Sequence, residues 1–266
     1  MHAEFLPLWL AALLFAVVLM TLVWRLALRI GNAGIVDIAW SAGFAPVVIF
    51  YAVAAGGALP RRALIAAMVS IWSVRLGAYL YVRVSALHPL EDRRYARLRS
   101  EWGAKLSQKM FGFFQLQAAL LALLSVPWLL ACLNSGAGLR PIEWAGLVLW
   151  LIAISGEALA DRQLQRFRAE PANRAAVCQL GLWRYSRHPN YFFEWLVWVA
   201  YYVVALGSPG GWLTIYCPAL MLYFLLRVTG IPLTEQLSLQ SKGAAFADYQ
   251  RRTSPFVPWF PKRSWR

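Results

Sequence analysis

Ionisable side chains set inside apolar runs are the residues of this chain best able to do chemistry. A charge within a membrane's hydrocarbon is costly and is kept for ligands, relays or pathways. Asp37 lies in Gly31-Asn-Ala-Gly-Ile-Val-Asp-Ile-Ala-Trp40, with Trp40 and Ser41 at i+3 and i+4 on its helix face. Two readings of it stand. Burial can hold its carboxyl neutral as a hydrogen-bond donor, or it is a helix-start carboxylate paired with an arginine. Arg75 follows Trp72 by three residues and precedes Tyr79 by four, so these share one inward face. Arg75 is either part of a site or the ion-pair partner of Asp37 or another acid.

A second set lies further on. Glu157, Asp161, Gln165 and Arg168 recur at i, i+4, i+8 and i+11, one polar stripe along a helix. A solvated face explains Arg168 better than Glu157, which follows an apolar run. The densest motif is Gly181-Leu-Trp-Arg-Tyr-Ser-Arg-His-Pro-Asn-Tyr-Phe-Phe-Glu194. Gly181 suits a turn and Pro189 the first turn of a helix. Asn190 and Glu194 then share a helix face, with Tyr191 beside Glu194. Arg184, Arg187 and His188 gather where the helix begins, and guanidinium groups and free N–H groups there suit a phosphate. The alternative is an ordinary basic loop. There is no GxGxxG after a strand, no GxxxxGK[ST] and no HExxH, so a nucleotide would have to be held within helices. The three cysteines, Cys132, Cys178 and Cys217, stand apart, and neither a disulfide framework nor a metal site is expected.

The elements that must position these groups are membrane helices. Of the 266 residues 60% are hydrophobic and only 14% charged, too apolar for a soluble fold or for disorder. Seven runs approach the ~20 apolar residues that a spanning helix needs: 6–24, 35–55, 63–84, 112–133, 141–160, 190–207 and 210–230. The first has no basic segment before it and no cleavage site after it, and is expected to be a span rather than a signal peptide. With the N-terminus outside, twenty-one of the 26 basic residues fall on the inner side, against Arg61, Arg62 and Arg140 outside. That asymmetry fits seven spans with a cytoplasmic C-terminus. It also accounts for the net charge of +14 without nucleic acid. The expected class is therefore an all-α polytopic membrane protein, a single domain over residues 1–266, in the inner membrane if the source is bacterial. The tail from Ile231 is polar, with aromatics, and should lie along the inner face.

Read in order, several of these blocks resemble the steroid 5-alpha-reductase superfamily, in a bacterial branch known as a domain of unknown function. They are Gly31-Asn32 with Val36-Asp37 and Trp40; Trp72 with Arg75-Leu76; Glu91-Asp-Arg-Arg-Tyr95; Gly156-Glu157 with Ala160-Asp161; Gly181 to Glu194; Gly230-Ile-Pro-Leu with Glu235; and Tyr249-Gln-Arg-Arg-Thr-Ser with Phe256-Val-Pro. The resemblance implies a seven-helix fold that holds NADPH between the C-terminal helices and the inner loops. It implies reduction of a carbon–carbon double bond conjugated to a carbonyl in a lipophilic substrate, whether steroid-like, isoprenoid or lipid. It puts Asp161, Arg168, Tyr185, Asn190, Tyr191, Glu194 and Glu235 at cofactor contacts, with Arg187 and Arg227 as phosphate or ribose partners. Residues 1–110 would serve the substrate and 111–266 the cofactor. Where the steroid enzymes polarise the enone with a Glu and a Tyr, this chain offers Asp37 and Trp72, with Tyr79 as a further donor.

The alternative is an S-adenosylmethionine-dependent membrane methyltransferase similar to the isoprenylcysteine carboxyl methyltransferases, in which Arg187-His-Pro-Asn-Tyr191 and Glu235 would bind the cofactor. The upstream acidic blocks and the many arginines favour the reductase. A non-enzymatic lipid-binding or assembly role is the third reading.

Overall fold

The computed structural model describes residues 3–87, 90–173, 176–228 and 230–262. Among them the regular structure is helical, with only an isolated bridge between Ser186 and Ser254. The helices are α1 (Phe5–Ile30), α2 (Ile35–Ala54), α3 (Leu59–Leu87), α4 (Arg93–Trp102), α5 (Leu106–Leu124), α6 (Val126–Leu133), α7 (Pro141–Ala169), α8 (Pro189–Ala205), α9 (Tyr216–Tyr223) and α10 (Ile231–Arg252). Among the described residues six stretches are long and apolar enough to cross a membrane: Phe5–Ile30, Ile35–Ala54, Leu59–Ala86, Arg94–Leu133, Pro141–Ala169 and Gly211–Arg252. The chain is thus an all-helical integral membrane protein. Six such stretches stand against the seven expected, because α8 has 17 residues, at the short limit of about 17–25 for a span. The apolar part of the last stretch precedes α10, which carries Glu235, Lys242, Asp248, Arg251 and Arg252.

Two compact units are present, one of residues 1–140 with 205–211, the other of 141–204 with 212–266. In the first, α1 and α5 run antiparallel. Trp9 Nε1 donates to the carbonyl of Ala122 (3.0 Å), Gln115 bonds Thr21 (3.1 Å), and Trp24 Nε1 donates to the carbonyl of Ser107 (3.2 Å). The outer ridge of α1, Leu6, Leu10, Leu14, Val18, Leu22 and Leu26, repeats every fourth residue and is exposed, as a lipid-facing ridge should be.

Pro46 interrupts the hydrogen-bond ladder inside α2, and α3 repairs it. Ser73 Oγ accepts the N–H of Ala45 (3.1 Å) and donates to the carbonyl of Ser41 (2.6 Å). In a membrane such freed backbone groups must find a protein partner. The core beside it is aromatic. Phe44 meets Trp40, Trp72 and Trp128 with ring centroids 4.7, 5.4 and 5.2 Å away. Arg61, read from the sequence as an outer-loop charge, is fully buried. Its guanidinium closes the 134–138 loop through the carbonyls of Asn134 (3.0 Å), Gly136 (2.9 Å) and Gly138 (2.6 Å).

In the second unit α7 buries Glu143, Gly146, Trp150, Ala153, Glu157 and Ala160, a seam of alternating three- and four-residue steps, with Asp161 beside its end. Two glycines bring α8 against it. A Cβ on Gly146 would lie 2.6 Å from a Val204 methyl, and one on Gly156 2.5 Å from the Phe193 ring. α9 ends in a π-helical turn over 224–228, and α10 kinks at Gly243, where φ is 53°.

Candidate functional site

The sequence-marked residues of the second unit gather where α7, α8, the segment before α8, and α10 meet. Asp161 is buried on α7 and accepts a hydrogen bond from Asn190 Nδ2 on α8 (3.2 Å). Glu194, one turn further along α8, is buried and accepts from the Trp198 indole (3.0 Å). Trp183 Nε1 donates to the carbonyl of Ala160 (2.9 Å), and Gln163 accepts the N–H of Leu182 (2.9 Å), so the turn at Gly181 is tied to α7. Gly181 has φ +56°, and a Cβ there would run into the Gln163 amide. Tyr191 bonds Thr234 of α10 (3.2 Å), and its ring stacks on His188 with centroids 5.3 Å apart.

Arg187, expected as a phosphate or ribose partner, ties the tail to the start of α8. Its Nε donates to Glu235 Oε1 (2.6 Å), and its Nη1 donates to the carbonyls of Gln250 (2.8 Å) and Thr253 (2.5 Å). Its own N–H reaches the carbonyl of Ser254 (2.8 Å). Glu235 also receives Gln250 Nε2 (2.7 Å) and pairs with His188 Nε2 (3.2 Å). The tyrosine hydroxyl of Tyr249 donates to the carbonyls of Trp183 and Ser186, and Ser186 Oγ donates to the carbonyl of Phe256 (2.7 Å). Arg187 and Glu235 thus rivet the tail to the start of α8. Burial works against ionisation of Glu235, but the bonds from His188, Arg187 and Gln250 outweigh it and bring its pKa down to about 2. Burial pushes the His188 pKa below 6.5 despite the carboxylate beside it, which favours the neutral imidazole.

Tyr185 is half-buried, its ring edge-on to Phe260 and its carbonyl accepting the N–H of Trp259. Arg168 and Arg227 are exposed, at the end of α7 and in the π turn. These two are not drawn into the network. The sequence reading missed Gln163, Thr234 and Gln250. Gln250 stands in a quoted block, Tyr249-Gln-Arg-Arg, and could have been weighed as a polar partner.

In the first unit Asp37 follows the ion-pair alternative, with a partner other than Arg75. Its Oδ2 accepts from Arg94 Nη2 (2.8 Å) and its Oδ1 from the Tyr95 hydroxyl (2.7 Å). Arg94 also bonds Asp92 (3.1 Å), and Glu91 accepts the N–H of Ala33 (2.6 Å) and the Arg99 guanidinium (3.0 Å). Burial raises the Asp92 pKa, but Arg94 and Arg83 outweigh it and hold the carboxyl below its usual range. The block Glu91–Tyr95 is therefore a clasp between α4 and the start of α2. Trp72 is fully buried against Phe44, and Tyr79 is half-buried on the same helix.

Residues 23–253 match the family described as "Protein of unknown function (DUF1295)". The chain belongs to that family. A family known as a domain of unknown function was expected, and that much is met. The DUF1295 match takes in the site residues expected from the sequence, from Asp37 to Glu235. A protein of Schizosaccharomyces pombe (strain 972), described as "Uncharacterized protein C594.04c", is 25% identical over 286 residues, covering 95% of this chain and 80% of its own. No solved structure matches the chain.

Proposed function

We propose that this protein is an NADPH-dependent membrane reductase of a carbon–carbon double bond conjugated to a carbonyl in a lipophilic substrate, of the kind its resemblance to the steroid 5-alpha-reductases implies. The observation that carries the reading is the cluster Asp161, Asn190 and Glu194, two buried carboxylates and an amide between apolar helices. Such groups are expensive in a membrane and are retained for function.

The donor set suits the cofactor. Buried carboxylates and an amide accept from and donate to ribose hydroxyls and a carboxamide, and the exposed guanidiniums of Arg168 and Arg227 suit phosphates. When bound, the nicotinamide supplies the hydride; the protein supplies position and polarity. Arg187 and Glu235 act by fixing the tail and the start of α8, so that Asn190 and Glu194 keep their places. On the substrate side, reduction builds negative charge on the carbonyl oxygen, which a placed donor stabilises. The hydroxyl of Tyr79 is suited to that role, while Asp37 holds Arg94 and Tyr95. The reading includes seven crossings, α8 among them, with the N-terminus outside.

Asp161→Ala and Glu194→Gln should insert into the membrane normally and lose NADPH binding, measured as loss of ligand-induced thermal stabilisation in detergent. Retention of that stabilisation in both variants would overturn the site assignment.

A further inference from the structure

The end of the α1–α5 pair carries charge that no ion pair among the described residues takes up. The contact of Trp24 with Ser107 and Phe111 fixes the register, so Arg25 and Arg29 of α1 come to the same end as Lys105 and Lys109 beside α5. All four are exposed, and among the described residues none of them meets an acid. The acids nearest in sequence are already engaged, Asp37 with Arg94 and Glu101 with Arg97. Helix stability does not account for the lysines, since the start of a helix disfavours cations. Two half-buried indoles stand among them: Trp24, and Trp102 with Lys109 over its ring at 5.9 Å. Immediately along α1 from the charges runs the exposed apolar ridge through Leu22 and Leu26.

We propose that this corner is a binding site for an anionic phospholipid, with the phosphate on Arg25, Arg29, Lys105 and Lys109 and an acyl chain along the ridge of α1. Charge complementarity selects the headgroup, because zwitterionic lipids bring no net charge to four unpaired cations. Interfacial tryptophans mark the depth at which headgroup and chain part. The site is independent of the reductase reading.

The test is native mass spectrometry of the full chain in mild detergent with phosphatidylglycerol or phosphatidylcholine of matched acyl chains. Wild type should retain phosphatidylglycerol in preference. Arg25→Gln/Arg29→Gln and Lys105→Gln/Lys109→Gln should each weaken retention, by about fivefold for every charge removed. Arg162→Gln/Arg166→Gln removes as much exposed charge from α7 and should retain the lipid like wild type. Equal retention of the two lipids would overturn the proposal. So would equal loss in the α7 control, or displacement by soluble glycerol phosphate at matched concentration.

Discussion

At the scale of single residues, the half-buried pair Arg187–Glu235 decides whether the tail stays down. Removing one partner of a buried ion pair strands the other, at a cost of about 3–5 kcal/mol. Glu235→Gln in this half-buried pair should destabilise the protein by less, about 1–3 kcal/mol, seen as a lower unfolding midpoint in detergent, and expose the tail to proteolysis after residue 252. The acid response has two windows, both with the same sign. His188 has a folded pKa below its ordinary 6.5, so the unfolded chain binds the proton first and stability falls as pH drops below about 6.5. Glu235, brought from 4.5 to about 2, loses its contribution as pH falls between those values. His188→Phe should flatten the upper window and leave the lower one. The motif around Arg187 and His188 was legible in the sequence as a dense functional cluster. Its partners at Gln250, Thr253 and Ser254 were not, because no spacing rule links groups more than sixty residues apart.

At the scale of elements, two seams hold the polar groups in place. Gly156 lets the Phe193 ring lie against α7, one helix turn from where Asp161 meets Asn190. Gly156→Val should force the helices apart, costing about 1–3 kcal/mol, and should weaken NADPH binding more than it lowers the apo unfolding midpoint. An equal loss of both would reduce the seam to a packing feature. The long apolar helices were legible from hydrophobic runs alone. Their ends were not: α1 continues to Ile30 and α7 to Ala169, past the apolar residues that reveal a span. The expected span 112–133 is two helices meeting at Ser125, next to Pro127, whose missing N–H suits a helix start. α4 escaped notice because its arginines obscure the apolar side that carries Tyr95. What fixes it is the Glu91, Arg94 and Tyr95 clasp, a tertiary arrangement.

At the scale of the whole molecule, the number of crossings turns on α8. If it spans, Ala104 and Ser241 face one side and Ala137 the other; if it does not, Ser241 changes sides. Single cysteines at those exposed positions, probed with an impermeant maleimide, should label Ala104→Cys and Ser241→Cys from the same side. Labelling of Ser241→Cys together with Ala137→Cys would remove α8 from the bilayer. The sequence distinguished the membrane class clearly through composition and basic-residue asymmetry. The place of α8 was less legible because it is short and begins at Pro189 amid polar groups.

The central claim is the cofactor, and the most direct measurement is the thermal shift of the purified protein with NADPH, NADH and S-adenosylmethionine. NADPH at one hundred times its dissociation constant should stabilise wild type by about 2.7 kcal/mol, with NADH weaker and S-adenosylmethionine without effect. Stabilisation by S-adenosylmethionine and none by NADPH would contradict the account and make the protein a methyltransferase.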